Sequence, residues 1–114
     1  MSRRLTLLRH GEAAPAAATA ADGGDQAGGD FGRRLTRRGE REAWESATLI
    51  ASASPTPSYV LASEAPRARQ TASIALDALG LPMRAFTVEP ALYLADVGSL
   101  LQAIASVDDA CTHL

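Results

Sequence analysis

Short apolar runs alternate with segments of helical periodicity along this chain, and the alternation restricts the folds that it can adopt. Strands are predicted where apolar residues run together between turn-forming residues, at Leu5–Leu8, Tyr59–Ala62 and Ala85–Glu89. Helices are predicted to follow these runs, at Thr36–Ser52, Pro66–Leu79 and Ser99–Ala105. The repeated order of strand and helix favours one layered α/β domain over residues 1–114, with a mainly parallel sheet.

Residues with strong local preferences mark where the first two helices begin and end. Thr36 is suited to cap the first helix, and Pro66 is suited to the first turn of the second. Gly80 is typical of a residue that ends a helix. Residues 13–29 have no usable period and are predicted to form a mobile loop. The buried helix faces are expected to consist of small and aliphatic residues, namely Ala43, Ala47, Ile50, Ala68, Ala72, Ala75, Leu76 and Leu79.

The charge balance argues against two classes of partner. The formal net charge is −2 and the isoelectric point is near 5.6, whereas nucleic acids and anionic membranes favour basic surfaces. The N-terminal apolar run is too short for a signal peptide, and no run reaches membrane-spanning length. Cys111 is the only cysteine, so no disulfide can form within the chain. We expect a cytoplasmic protein that binds neither nucleic acid nor a membrane.

The tripeptide Arg9-His10-Gly11 follows the first predicted strand and can support phosphoryl transfer. A neutral imidazole such as that of His10 can attack phosphorus and hold it covalently. The guanidinium of Arg9 matches the geometry of phosphate oxygens, and Gly11 allows a sharp turn and the close approach of a ligand. Taken alone, however, the tripeptide is more often a core histidine beside a surface arginine.

A second junction of strand and helix strengthens the phosphate hypothesis. Ser63 ends the second predicted strand, and Arg67 lies in the first turn of the next helix. The free N–H groups at a helix start favour anions, and Arg67 adds a formal positive charge there. Arginines at two such junctions could hold one phosphate between them, although Arg67 and Arg69 alone would be interpreted as a solvated helix face.

Three segments in order resemble the signature of the histidine phosphatase superfamily, which has the phosphoglycerate mutase-like fold. They are Leu7–Ala13 (LLRHGEA), Asp30–Gly39 (DFGRRLTRRG) and Leu61–Ala72 (LASEAPRARQTA). The spacing is most similar to that of the SixA-type phosphohistidine phosphatases. The resemblance implies a three-layer α/β/α fold and a phosphatase that needs neither metal nor cofactor. Its substrate would be a phosphorylated molecule such as a phosphohistidine protein.

Roles for particular residues follow from this resemblance. His10 is expected to be the nucleophile, and Arg9 and Arg67 are expected to hold the phosphoryl oxygens. Gly11, Ser63 and Arg33 are expected to complete the phosphate pocket, whereas Arg34 or Arg37 could equally face solvent. Glu12 and Glu89 are the carboxylates considered as a general acid for the leaving group.

The chain departs from the family pattern at two places. Glu64 stands where the family often has proline, so a carboxylate lies near the expected anion site. The family's next element is a strand leading to Gly-His, and its histidine is the second catalytic imidazole. That strand would begin near Asp109–Leu114, so the resemblance implies a domain that lacks its C-terminal part. His113 would lie at the wrong end of the strand and is expected to be a frayed terminal residue.

Two alternatives to a working phosphatase stay open. One is a catalytically impaired remnant that binds phosphate or a protein partner. The other is a phosphoglycerate mutase-type isomerase, which usually needs larger insertions than this chain offers. We also expect the 114-residue chain to be marginally stable, because one edge of Leu5–Leu8 would have no neighbouring strand.

Overall fold

Helices and strands alternate in the computed structural model, which describes residues 3–15, 30–53, 55–108 and 110–114. In chain order the elements are helix α1 (Arg37–Ser52), strand β1 (Val60–Ala62), helix α2 (Pro66–Leu79), strand β2 (Phe86–Val88) and helix α3 (Val97–Ala105). Short 3-10 turns lie at Asp30–Gly32, Met83–Ala85 and Pro90–Leu92. None of the helices in the described ranges is long and apolar enough to cross a membrane.

The sheet contains the parallel pair that the sequence predicted. Strands β1 and β2 run parallel, with Val60 opposite Phe86 and Ala62 opposite Val88. Helix α2 connects them, and this strand–helix–strand unit fixes the junction at which Ser63 and Arg67 stand.

The predicted helix boundaries are confirmed at the positions where single residues determine them. The Thr36 hydroxyl accepts a hydrogen bond from the N–H of Gly39 at 3.0 Å, so Thr36 caps α1. Gly80 ends α2 in the left-handed conformation with φ of 69°. Asp96 caps α3 by accepting from the N–H of Ser99 at 2.8 Å, a helix start that the sequence analysis placed two residues too late.

The core between α1 and α2 is built from small residues, as the composition indicated. Helices α1 and α2 pack against each other, and their fully buried residues include Ala43, Ala47, Ala72, Ala75 and Leu76. Ile50, Ala68 and Leu79 were also predicted to be buried, but they are only half-buried.

The prediction of a buried strand at Leu5–Leu8 is wrong. Leu5 is 47% exposed and Leu7 is 73% exposed. The N–H groups of Arg4 and Thr6 donate to the carbonyls of Thr112 and Leu114, both at 2.7 Å. This parallel pairing reaches only to Thr6, and none of the described backbone pairs with Leu7, so the run lacks the neighbour that would bury it.

The expectation that His113 is frayed is also wrong. Its carbonyl accepts from the N–H of Ser58 at 3.0 Å, and its Nε2 lies 2.7 Å from the Thr6 hydroxyl. The segment Thr112–Leu114 therefore lies between the N-terminal segment and the residues that lead into β1. His113 lies beside Arg4 and Thr6. These residues are at one end of the N-terminal segment, and His10 is at the other end.

The proposed mobile loop at residues 13–29 is described only at its beginning. Ala13 pairs with Leu35 in an antiparallel bridge, and the N–H of Ala14 donates to the carbonyl of Arg34 at 2.8 Å. Residues 13 and 14 are therefore held against the chain that precedes α1. Residues 16–29 lie outside the described ranges.

Candidate active site

The imidazole of His10 is oriented by its own neighbour in the chain. Its Nδ1 lies 2.7 Å from the carbonyl oxygen of Gly11, and the ring is half-buried. A carbonyl oxygen can only accept, so Nδ1 must carry the proton in this contact. In the neutral ring, Nε2 then keeps its lone pair and is available as a nucleophile.

Four residues from the sequence-based site meet His10 in one open, polar cavity of about 590 Å³. Arg9, Gly11, Glu12 and Arg33 line it together with His10. Arg9 is exposed, and Arg33 is anchored by donating from Nε to the carbonyl of Ala14 at 2.8 Å. The cavity wall around the imidazole therefore contains two arginines. Two glutamates, Glu42 and Glu45, line it as well.

Gly11 serves a purpose that the sequence analysis did not recognise. A Cβ added to Gly11 would lie 2.0 Å from the carbonyl oxygen of Gly39, and a Cβ added to Gly39 would lie 2.0 Å from the carbonyl oxygen of Glu12. The absence of both side chains thus lets the backbone after His10 lie directly on the first turn of α1. Gly39 therefore fills the space beside Gly11 that was predicted to admit a ligand.

Further hydrogen bonds fasten Glu12 to the start of α1. The N–H of Thr36 donates to the carbonyl of Glu12 at 2.9 Å, and the Thr36 hydroxyl donates to Glu12 Oε1 at 2.9 Å. In turn, the N–H of Glu12 donates to Glu42 Oε1 at 2.9 Å. Glu12 is therefore near His10, as a general acid must be, but one of its carboxylate oxygens already accepts a hydrogen bond.

Ser63 lies at the edge of a second cavity, which is apolar and has a volume of about 340 Å³. This cavity lies between residues 5–10 and residues 59–63, and Arg9 and His10 also line it. Ser63 itself accepts a hydrogen bond from the N–H of Ala65 at 3.2 Å, which shapes the turn into α2. Ser63 and His10 thus line one cavity, and Arg33 does not line it.

Arg67 is buried, with 8% of its surface exposed, and it contacts Asp30 instead of an open cavity. Its Nη1 donates to the carbonyl of Asp30 at 2.7 Å, and its Nη2 donates to Asp30 Oδ2 at 3.1 Å. Asp30 also accepts from the hydroxyl of Tyr93 at 2.6 Å and from Arg33 Nη1 at 3.3 Å. The solvated helix face considered for Arg67 is therefore wrong.

These contacts act on the pKa values of both acidic partners. The hydrogen bond from Tyr93 lowers the pKa of Asp30, and the nearby guanidinium of Arg67 lowers it further. The same hydrogen bond raises the pKa of Tyr93, because the hydroxyl donates to a carboxylate. At neutral pH Asp30 is therefore a carboxylate and Tyr93 is a neutral donor.

Thr71 connects the start of helix α2 with the backbone that follows His10. It is 3% exposed, and its hydroxyl donates to the carbonyl of Arg67 at 2.8 Å. The same oxygen lies 3.4 Å from the N–H of Gly11, which is a long hydrogen bond. One side chain of α2 thus links the first turn of that helix to the residue after His10.

Glu89, like Arg67, is a sequence-based candidate that the structure does not place in a cavity with His10. Glu89 directly follows β2, and its N–H donates to the carbonyl of Ala62 at 2.7 Å. Its carboxylate accepts from the N–H of Ala91 at 3.2 Å and caps a 3-10 turn. Glu89 lines neither of the two cavities that contain His10.

Asp30, Gly39 and Thr71 lie within the segments that resemble the family, but no role at the site was predicted for them or for Tyr93. A glycine in the first turn of a predicted helix was a usable signal, since glycine is unfavourable there unless another backbone approaches. Tyr93 lies 63 positions after Asp30, and no local pattern connects them.

A family model and several solved structures match this chain. A family model described as the histidine phosphatase superfamily (branch 1) matches residues 5–98. A comparison with curated proteins gave no match.

Three solved structures share the fold over nearly the whole chain. SixA of Agrobacterium tumefaciens, a candidate phosphohistidine phosphatase, is 30% identical with a TM-score of 0.77 over 99% of this chain and 67% of its own. SixA of Nakamurella multipartitia, a candidate for the same activity, is 28% identical with a TM-score of 0.72 over 97% of this chain and 55% of its own. A protein histidine phosphatase SixA complexed with tungstate is 29% identical with a TM-score of 0.74 over 96% and 64%.

Two conclusions follow from these three structures. The predicted fold, an α/β domain of the phosphoglycerate mutase-like type with a parallel sheet, is confirmed. This chain also spans only about 55–67% of the length of the proteins that it matches.

Proposed function

Because the chain belongs to the histidine phosphatase superfamily (branch 1), we propose that it hydrolyses phosphoryl groups through a phosphohistidine formed on His10. The family model and the SixA structures support a phosphatase, and thus a hydrolase, in general. The observation that carries the finer proposal is the contact between His10 Nδ1 and the Gly11 carbonyl at 2.7 Å. It leaves Nε2 with the lone pair that a nucleophile needs.

The proposed reaction has two steps that restore the enzyme. First, Nε2 of His10 attacks phosphorus, an N–P bond forms, and the bond from phosphorus to the leaving group breaks. The leaving group departs with the bonding electron pair and takes up a proton. Water then attacks the phosphohistidine, the N–P bond breaks, and inorganic phosphate and the neutral imidazole are released.

Arginine side chains supply the positive charge that this reaction needs. In the transition state, negative charge spreads over the equatorial oxygens of the phosphoryl group, and guanidinium groups stabilise it. Arg9 and Arg33 line the polar cavity beside the imidazole. Arg67 is the third proposed donor, at the first turn of α2.

We favour Glu12 over Glu89 as the acid that protonates the leaving group. Glu12 lines the same cavity as His10, whereas Glu89 caps a turn elsewhere. A phosphohistidine protein is the proposed substrate, for two reasons. The SixA proteins carry that name, and an imidazole leaves more easily than an alkoxide, so it needs less help from an acid.

The test is to trap the phosphorylated enzyme. The chain is mixed with a phosphohistidine peptide or with an aryl phosphate, each labelled on phosphorus, and acid-labile label on the protein is mapped. We expect label on His10, none in His10→Ala, and faster turnover of the peptide than of the aryl phosphate.

The second histidine of the chain provides the matched control. His113→Gln can keep a hydrogen bond to Thr6, and it should retain both label and turnover. Label on His113, or label that persists in His10→Ala, would remove His10 from its proposed role. Binding of inorganic phosphate without any label or turnover would favour a binding protein over an enzyme.

A further inference from the structure

The guanidinium of Arg67 is held in place by one residue, Asp30. Two of its nitrogens donate to Asp30, one to the backbone carbonyl at 2.7 Å and one to the carboxylate at 3.1 Å. The Arg67 side chain is only 10% exposed, so few other conformations are open to it. A guanidinium has five N–H donors in a fixed plane. Two of them bind Asp30, and three, including Nε–H, can bind a phosphoryl oxygen.

Asp30 is in turn held by an aromatic side chain from a distant part of the chain. Asp30 Oδ2 accepts from the Tyr93 hydroxyl at 2.6 Å, and the Tyr93 ring lies 5.8 Å from the central carbon of Arg67. Phe31 meets the same ring edge to face, with centroids 5.0 Å apart and an interplanar angle of 86°. Tyr93 therefore contacts both members of the ion pair.

The charges in this cluster still favour an anion. Asp30 contributes one negative charge, while Arg67 and Arg33 contribute two positive charges that both reach its carboxylate. The donors on Asp30 lower its pKa, so the carboxylate remains charged at neutral pH. The cluster thus has a net charge of about +1 when its three groups are ionised.

We propose that Asp30 and Tyr93 are positioning residues that orient the Arg67 guanidinium toward the phosphoryl group of the substrate. This inference rests on the proposed function, in which Arg67 binds that group. Asp30 fixes two N–H donors of the Arg67 guanidinium. Because the guanidinium is planar and rigid, the directions of its remaining donors are then fixed as well. A displacement of about 1 Å in a positioning group can lower the rate by about 100-fold. We therefore expect loss of Asp30 to lower catalysis mainly through Arg67, and to a smaller degree through Arg33, which donates to the same carboxylate.

The experiment is a double-mutant cycle on kcat/KM for the phosphohistidine peptide. Asp30→Asn should lower kcat/KM by about 10-fold to 100-fold, and Tyr93→Phe by about 3-fold to 10-fold, mainly through kcat. In an Arg67→Ala background, Asp30→Asn should have a much smaller effect, because only the contact between Asp30 and Arg33 remains. Asp77→Asn, at an exposed position of α2, removes the same charge and should leave the kinetics unchanged.

Each result has a defined meaning. If Arg67→Ala leaves kcat/KM unchanged, the proposed role of Arg67 fails, and this inference fails with it. If Arg67→Ala lowers kcat/KM but Asp30→Asn does not, only the inference fails. An equal loss from Asp30→Asn with and without Arg67 would show that Asp30 acts by another route.

Direct binding of inorganic phosphate separates positioning from competition. The positioning role predicts that Asp30→Asn binds phosphate equally well or more weakly. If Asp30→Asn bound phosphate several-fold more tightly, the carboxylate would compete with the substrate for Arg67, and the inference would be overturned. Thermal unfolding of each variant identifies losses that come from misfolding. Tyr93→Phe keeps the aromatic ring and therefore provides a second test if Asp30→Asn does not fold.

Discussion

Replacing Gly39 by alanine tests the backbone contact that fastens the residues after His10 to helix α1. The new Cβ would lie 2.0 Å from the carbonyl oxygen of Glu12, with two further Glu12 backbone atoms within 2.9 Å. Because non-bonded heavy atoms prefer separations of about 3.5 Å, one backbone must move by about 1.5 Å. The obstacle is backbone on both sides, so no side-chain rotation can relieve it.

The expected destabilisation is the difference between two opposing effects. Alanine in a helix interior is more favourable than glycine by about 1 kcal/mol. Forcing an extra carbon into a closely packed contact costs about 1–3 kcal/mol, and occasionally more. The movement would also stretch the hydrogen bond from Thr36 to the Glu12 carbonyl, now 2.9 Å, which is worth about 1 kcal/mol. We therefore expect Gly39→Ala to lower the free energy of unfolding by about 1–3 kcal/mol.

Gly98→Ala is the matched control, because it adds the same methyl group to another helix. A Cβ there would meet only Asp96 Oδ1, at an ordinary 3.6 Å. It should leave stability unchanged or raise it by up to about 1 kcal/mol. Urea unfolding followed by circular dichroism measures both variants. For a domain of this size, Tm should fall by about 4 °C for each kcal/mol lost by Gly39→Ala.

The same substitution should also impair catalysis. Moving Glu12 displaces the Gly11 carbonyl, which accepts from Nδ1 of His10. Phosphorylation of His10 should therefore slow in Gly39→Ala and not in Gly98→Ala. If Gly39→Ala were as stable and as active as Gly98→Ala, the close contact between residues 11–12 and α1 would be refuted.

Two further predictions concern arginines that the structure buries or anchors. Arg67→Lys should lower kcat/KM by about one to three powers of ten, because a lysine cannot reproduce a planar fork of donors; near-normal kinetics would exclude Arg67 from the phosphate site. Arg3→Ala should lower the free energy of unfolding by about 1–2 kcal/mol, because it removes hydrogen bonds from a charged side chain to backbone carbonyls. The Arg3 guanidinium donates to the carbonyls of Ile104, Val107, Asp108 and Cys111 at 3.1–3.4 Å. Arg4→Ala, at an exposed position, is its control in urea unfolding and should change little.

The parts of the fold that the sequence predicted are those that local preferences determine. Thr36, Pro66 and Gly80 each favour one backbone conformation, so the bounds of α1 and α2 agreed with the structure within a residue. The parallel pairing of β1 and β2 followed from the alternation of strand and helix.

The errors arose where burial depends on a distant part of the chain. Leu5–Leu8 has the composition of a buried strand, but burial requires backbone alongside it, and Thr112–Leu114 pairs only as far as Thr6. His113 has no distinctive local pattern, yet the hydrogen bonds to Ser58 and Thr6 hold it in place. Neither contact can be inferred from a window of a few residues.

The residues of the candidate site fall into the same two groups: some belong to a local motif, and others act through contacts with distant parts of the chain. Arg9, His10 and Gly11 were identifiable because they follow a predicted strand and lie in the first of three segments that resemble the histidine phosphatase superfamily. The supporting residues come from elsewhere: Gly39 receives the backbone after His10, and Asp30 holds Arg67. A side chain that contacts substrate must be of one chemical type, whereas its support needs only to fit. The type of chemistry is therefore readable from a local motif, whereas the contact that a supporting residue makes is not, even for Asp30 and Gly39, which lie within a segment that resembles the family.

The connections between these segments indicate how the site keeps its geometry with so few large core residues. Thr71 binds the carbonyl of Arg67 and lies near the N–H of Gly11, so α2 and the residue after His10 share one buried hydroxyl. Asp30 binds both Arg67 and Arg33, so two arginines of the proposed phosphate site share one carboxylate. Hydrogen bonds are directional, whereas the van der Waals contacts of an alanine-rich core are not. The polar links, more than the apolar core, should therefore determine where the phosphate ligands stand relative to His10.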